Sequence, residues 1–228
     1  MSSEIEIISQ EHSFISNERS YSFGLAHGIT GHINFLIYLK NTVGDLIPNI
    51  DNSLNNAIFF LMKYRKYDEI SKQQFPSKHN IDTNISSSAR LAWCMGDLGI
   101  GNALYNAALF LNNTKLQNEA INLINASQKI SLKISGVNDF AICHGTAGII
   151  MQYYLAEVKF NQDNSEIISY WFEILANQTK NFTEFNSFSI DQYINETNIL
   201  YGSSGLGMVF LTLNKKTSVD WLISLNLC

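Results

Sequence analysis

The stretch CHGTAGIIMQYYLAE, residues 143–157, sets a cysteine and a histidine side by side before a Gly-x-x-Gly step and an apolar run. Three other stretches share its layout: LAHGITGHINFLIYL (25–39), WCMGDLGIGNALYNAALFL (93–111) and LYGSSGLGMVFLTL (200–213). The glycine pairs are Gly28/Gly31, Gly96/Gly99, Gly145/Gly148 and Gly202/Gly205. Small residues in a first helical turn let another backbone approach closely. The runs that follow are apolar nearly all round, as inner, fully buried helices require.

Between these runs lie amphipathic segments at 53–67, 114–133 and 164–181. In the second, Leu116, Ala120, Ile121, Leu123, Ile124 and Ile130 share one helical face. Buried helix alternating with amphipathic helix is a repeat architecture. Stacked in a row it would be a solenoid; curved inward, it gives an all-α, α/α toroid, a double layer of inner and outer helices with the Gly-rich ends on one face. No stretch alternates as strands do with turns at hairpin spacing. Residues 41–52 and the polar connection 68–89 interrupt the repeat as loops, and neither reads as a domain linker. The expected organisation is an N-terminal extension, 1–22, and one domain, 23–228.

Apolar residues make up 46% of the chain and charged residues 15%, the balance of a protein with a buried core. A net charge of -5 gives no electrostatic case for nucleic acid or acidic lipid. The N-terminus lacks a cationic start and an apolar core, and the longest apolar runs are too short to span a bilayer. Three cysteines without framework spacing argue for a reducing compartment, so a cytoplasmic location is expected.

The repeat starts also gather chemistry. His27 stands at the first, Cys94 at the second, and Cys143 with His144 at the third. Two thiols and one imidazole are what a Zn²⁺ site needs, and three protein ligands with an open fourth position is the catalytic arrangement. A single buried cysteine is otherwise a small core hydrophobe, and a lone His27 serves equally well as a satisfied polar residue. The adjacency of Cys143 and His144 at a repeat start weighs against the plain reading. His12, His32 and His79 lack that context and read as structural or surface residues. Asp97 reads as the N-cap of a helix over Gly99–Leu111.

The segments GLAHGITG (24–31), ARLAWCMGDLGIG (89–101) and AICHGTAGI (141–149) resemble the lanthionine synthetase C-like proteins, the cyclases of lanthipeptide biosynthesis. FPS (75–77), LYGSSGLG (200–207) and WLISL (221–225) are similar too, and the resemblance covers nearly the whole chain from Phe23. It implies a zinc enzyme on an α/α toroid. A peptide cysteine thiol adds to a dehydroalanine or dehydrobutyrine of the same peptide, closing a thioether ring. By position it implies Cys94, Cys143 and His144 as zinc ligands and His27 as the acid/base residue. It implies Arg90 as an active-site arginine, with Trp93 and Met95 in the wall of the substrate site. The implied partners are a dehydrated precursor peptide and a lanthipeptide dehydratase or a separate N-terminal half, with any membrane association peripheral and through such a complex. Addition of glutathione or another small thiol to dehydroamino acids is the alternative activity, and a zinc-retaining scaffold or leader-peptide-binding partner the non-catalytic one. Two departures stand out. Met95 occupies a position where the family has tyrosine, and the repeats that precede the Ala-His-Gly motif in the family, with an active-site aspartate, have no counterpart here.

Overall fold

A helix that starts on glycine has no side chain to satisfy its first N–H groups, and this chain solves the problem the same way repeatedly. The computed structural model describes residues 10–12, 19–46, 48–180, 186–189 and 192–227. Much of the proposed extension 1–22, and Cys228, lie outside them. The helices run in chain order as α1 (Ile29–Val43) and α2 (Ile50–Lys63), then α3 (Asp97–Phe110) and α4 (Thr114–Ser127). After a single turn, α5 (Leu132–Ser135), come α6 (Thr146–Phe160), α7 (Ser165–Gln178) and α8 (Ser203–Leu213).

Helices α1, α3, α6 and α8 are capped by Gly28, Gly96, Gly145 and Gly202, none with a side-chain cap bond. Partners come instead from the lead-in loop folded back on the first turn. Thr146 N donates to Asp139 O at 2.9 Å, Ala147 N to Phe140 O at 3.2 Å, and Ser203 N to Glu196 O at 3.0 Å. A Cβ at Gly148 would collide with the carbonyl of Ile142, so the approach excludes any side chain there. Gly96 adds a second demand, a φ of +102°. Its predecessor loop is anchored by Asp97, the first residue of α3 rather than its N-cap. Asp97 N donates to Gln73 Oε1, while its carboxylate accepts from Gln74 N at 2.7 Å and Phe75 N at 3.0 Å.

Inner helices pack in repeat order, α1 against α3, α3 against α6 and α6 against α8; α2, α4 and α7 back α1, α3 and α6 from outside. Burial follows that layering. α3 and α6 are buried almost all round, while α4 hides only Leu116, Ala120, Leu123, Ile124 and Ser127. No helix among the described residues is long and apolar enough to cross a membrane.

The extension 1–22, the connection 68–89 and the stretch ahead of the fourth repeat hold short strands that the sequence pattern did not reveal. Strands β1 (Gln10–His12), β2 (Arg19–Ser22), β3 (Lys78–Asn80) and β4 (Ile85–Ser87) form one antiparallel sheet in that order. Strands β5 (Asn186–Ser189) and β6 (Gln192–Asn195) form a hairpin. Each has only three or four residues, too few for period-two alternation to register. The pairing of Tyr21 with His79 stitches residues 19–22 to the connection 68–89, and Tyr21, Phe60, Tyr64 and His79 pack ring on ring beside it. The 3₁₀ segment Asp220–Leu225 returns the chain to α1: Asn34 Nδ2 donates to Asn226 O at 2.7 Å, and Asn226 Nδ2 to Gly31 O at 2.9 Å.

Two glycines separate close approach from mere tolerance. Gly148→Ala is expected to destabilise by roughly 1–3 kcal/mol through overpacking. Gly207→Ala faces open space inside α8 and is expected to stabilise by about 0.5–1 kcal/mol. Urea unfolding of both variants checks the contrast.

Burial pushes the Asp97 carboxyl up to about 7, against the pull of its two N–H bonds and of Arg65. A folded value above the ordinary one of about 3.9 means stability that is complete below it and is lost as pH rises through about 7. Asp97→Asn turns an amide nitrogen toward a backbone N–H; it is expected to cost about 1–3 kcal/mol and to flatten that pH dependence. Unfolding titrations from roughly pH 4 to pH 8 read both effects.

Candidate active site

One ladder of backbone hydrogen bonds runs across the four lead-in loops. Ala26 N donates to Cys94 O at 3.3 Å, Cys94 N to Cys143 O at 3.1 Å, and Cys143 N to Leu200 O at 2.9 Å. All four residues stand two positions before the capping glycine of their repeat, so the ladder aligns the repeats residue by residue. The positions that follow are then equivalent as well: His27, Met95, His144 and Tyr201.

The ladder brings Cys94 and Cys143, both buried and free, next to one another. The interaction between the two thiols pushes Cys94 up and pulls Cys143 down. Cys143 is lowered further by hydrogen bonds from His144 and Tyr201, while burial opposes. The charge of Arg90 acts on Cys94 in the lowering direction. Arg90 precedes Gly96 in its loop as Asp139 precedes Gly145, and a Cβ on either glycine would meet the loop beside that residue.

Asp139 is 3% exposed and holds the site together. Its Oδ2 lies 3.0 Å from His144 Nε2, and its Oδ1 accepts from Ala141 N at 3.0 Å. The carboxylate, followed by the contact with Cys143, raises His144 to about 9. Among the described residues, no group of three or more His, Cys, Asp and Glu side chains is arranged to hold a metal ion.

The remaining residues singled out from the sequence lie around this cluster. His27 is exposed in an open groove of about 480 Å³ with Leu25, Gly28, His32, Phe35 and Asn226. Trp93 is 7% exposed, and its indole N–H donates to Leu225 O at 3.0 Å, tying the closing segment to the second lead-in loop. Met95 is half-buried against the core and lies against Gly24. His32 Nδ1 lies 3.0 Å from Gly28 O, and His79 Nδ1 lies 3.0 Å from Ser86 Oγ. Asp139 and Tyr201 were not singled out from the sequence. Aligning the four repeats on their capping glycines would have shown Tyr201 beside His144 and His27, and Asp139 beside Arg90.

The solved structure of nisin cyclase superposes with a TM-score of 0.71 at 24% identity, covering 92% of this chain and 50% of nisin cyclase. That likeness establishes the α/α toroid fold. The nisin biosynthesis protein NisC of Lactococcus lactis subsp. lactis is 26% identical over 138 residues, 57% of this chain and 31% of NisC. The chain spans half or less of the length of either relative. Residues 2–225 match the family described as lanthionine synthetase C-like protein, and on that match, which takes in all four glycine-capped repeats, the chain belongs to the lanthionine synthetase C-like family.

Proposed function

We propose that this chain carries the thiol-activating centre of a zinc-dependent lanthipeptide cyclase. The observation that supports it is the contact of Cys94, Cys143 and His144 at neighbouring helix starts, with His144 Nε2 on a buried carboxylate. Two thiols and an imidazole suit Zn²⁺ by donor chemistry, and a carboxylate behind the histidine is the support such ligands usually have. Cys94, Cys143 and His144 would hold the metal. When bound, Zn²⁺ supplies a substrate thiolate at neutral pH, where a free thiol with a pKa of about 8.5 is mostly protonated.

The protein's own groups account for the rest. In the reaction a peptide S–H bond breaks, an S–C bond forms at the β-carbon of a dehydroalanine or dehydrobutyrine, and a proton reaches the α-carbon. Negative charge develops on the acceptor carbonyl in between. Arg90, whose charge already reaches Cys94, steadies that charge. His27 is exposed in an open groove of about 480 Å³, and it returns the proton to the α-carbon. Asp139 keeps His144 in one orientation throughout.

Metal analysis and a peptide assay test this together. The purified protein is expected to bind about one zinc per chain, and Cys94→Ala or Cys143→Ala to lose it. Given a dehydrated, cysteine-containing precursor peptide, the wild type should remove free peptide thiols without a mass change, as read by thiol alkylation and mass spectrometry. A mass gain equal to added glutathione would point instead to external thiol addition. Zinc without turnover of either kind would leave the scaffold reading, and a Cys143→Ala variant that still closed rings would sink the mechanism.

A further inference from the structure

The groove that exposes His27 is lined by residues around the start of α1 and by one residue from the far end of the described chain, Asn226. That residue is held from several sides. Its carbonyl accepts from Asn34 Nδ2 at 2.7 Å, and its own N–H donates to Ile223 O at 2.9 Å. The carbonyl before it, Leu225 O, accepts from the Trp93 indole at 3.0 Å, and Leu222, Leu225 and Leu227 are buried around it. The Asn226 backbone has a φ of +56°, in the left-handed region that asparagine tolerates better than most residues. Its side chain is fixed as well. Nδ2 donates to Gly31 O at 2.9 Å, and a Cβ on Gly31 would come within 3.2 Å of that nitrogen. A carbonyl oxygen only accepts, so the amide has one way round, with Nδ2 on Gly31. Oδ1 then accepts no hydrogen bond from any described residue, and it is not among the buried unpartnered atoms.

We propose that Asn226 is a substrate-binding residue whose Oδ1 accepts the backbone N–H of the dehydroamino acid that His27 protonates. The role rests on the reading of this groove as the place where the dehydrated peptide lies. Protonation takes place at the α-carbon, and the amide nitrogen of the same residue is bonded directly to that carbon. A peptide that presents its α-carbon to His27 therefore brings that N–H into the groove that Asn226 lines. An N–H that leaves water for a protein wall needs an acceptor there. The Asn226 oxygen is neutral, and it is fixed before the peptide arrives, so little side-chain freedom is lost on binding. A bond to the backbone ignores the side chain, so dehydroalanine and dehydrobutyrine are held alike. With its N–H tethered, the planar dehydroamino acid keeps one orientation in the groove. Gly31 thus has a second use: besides admitting the lead-in loop, it leaves room for the amide that anchors Asn226.

Peptide binding read without turnover tests the role. The probe is a fluorescently labelled precursor peptide with one dehydroalanine and with serine in place of cysteine, so that no ring closes. A second probe carries N-methyldehydroalanine at the same position, which removes the donor. By fluorescence anisotropy the wild type is expected to bind the N-methyl peptide about three- to tenfold more weakly, the loss of one hydrogen bond. Asn226→Gly keeps the left-handed backbone and removes the amide. It is expected to melt a few degrees lower, through loss of the bond to Gly31, and to bind both peptides with the same weakened affinity. Should it fail to fold, the two peptides on the wild type decide alone. N-methylation that costs the wild type nothing, or costs Asn226→Gly as much as the wild type, overturns the role while leaving the cyclase reading intact. A wild-type protein that binds neither peptide overturns the groove as a peptide site and this role with it.

Discussion

The backbone ladder from Ala26 through Cys94 and Cys143 to Leu200 is the constraint on which the site depends. Each rung joins residues distant in sequence, and each sits where a lead-in loop meets its helix. A buried N–H without a partner is costly, so the ladder fixes how far each repeat is rotated against the next. Once that rotation is set, the side chains on either side of each rung have no choice of neighbour. Cys94 meets Cys143 because their main chains are bonded, and Tyr201 meets His144 for the same reason.

The glycines make the ladder possible. A lead-in loop can satisfy the first turn of its helix only by lying against it, and a Cβ at Gly148 or Gly205 would occupy the place of a carbonyl oxygen. Helix capping and site assembly are therefore one event. The same loop that ends the exposed N–H groups of α6 also supplies Asp139, which orients His144, and the cysteine that bonds to the next repeat. Outer helices contribute stability rather than chemistry: α4 and α7 bury Leu123, Ile124, Trp171 and Leu175 against their inner partners.

The interaction between the two thiols makes them unlike partners, raising Cys94 and lowering Cys143. Cys143 faces donors on both sides, from His144 and Tyr201, while Cys94 has the more distant charge of Arg90. An asymmetric pair of this kind sheds one proton before the other. The aspartate, histidine, cysteine and tyrosine come from two adjacent repeats, so damage to either repeat's packing reaches the same atoms.

The sequence by itself determined the layering, and it set Cys94, Cys143 and His144 at the starts of neighbouring repeats. Four Gly-x-x-Gly steps each open an apolar run, and a run apolar on every side reads as a helix buried all round. The face Leu116, Ala120, Leu123 and Ile124 was equally legible, because one-sided burial leaves a 3.6-residue rhythm. The short strands were not legible, since their partners lie far along the chain and three residues carry no rhythm. Asp97 was read as a cap because acidic residues favour that place, whereas its carboxylate is drawn to two N–H groups of the loop over α3. Asp139 and Tyr201 acquired meaning only from the register between repeats. A sequence names the residues at each helix start, but the bonds that set one start against another exist only when the helices are packed.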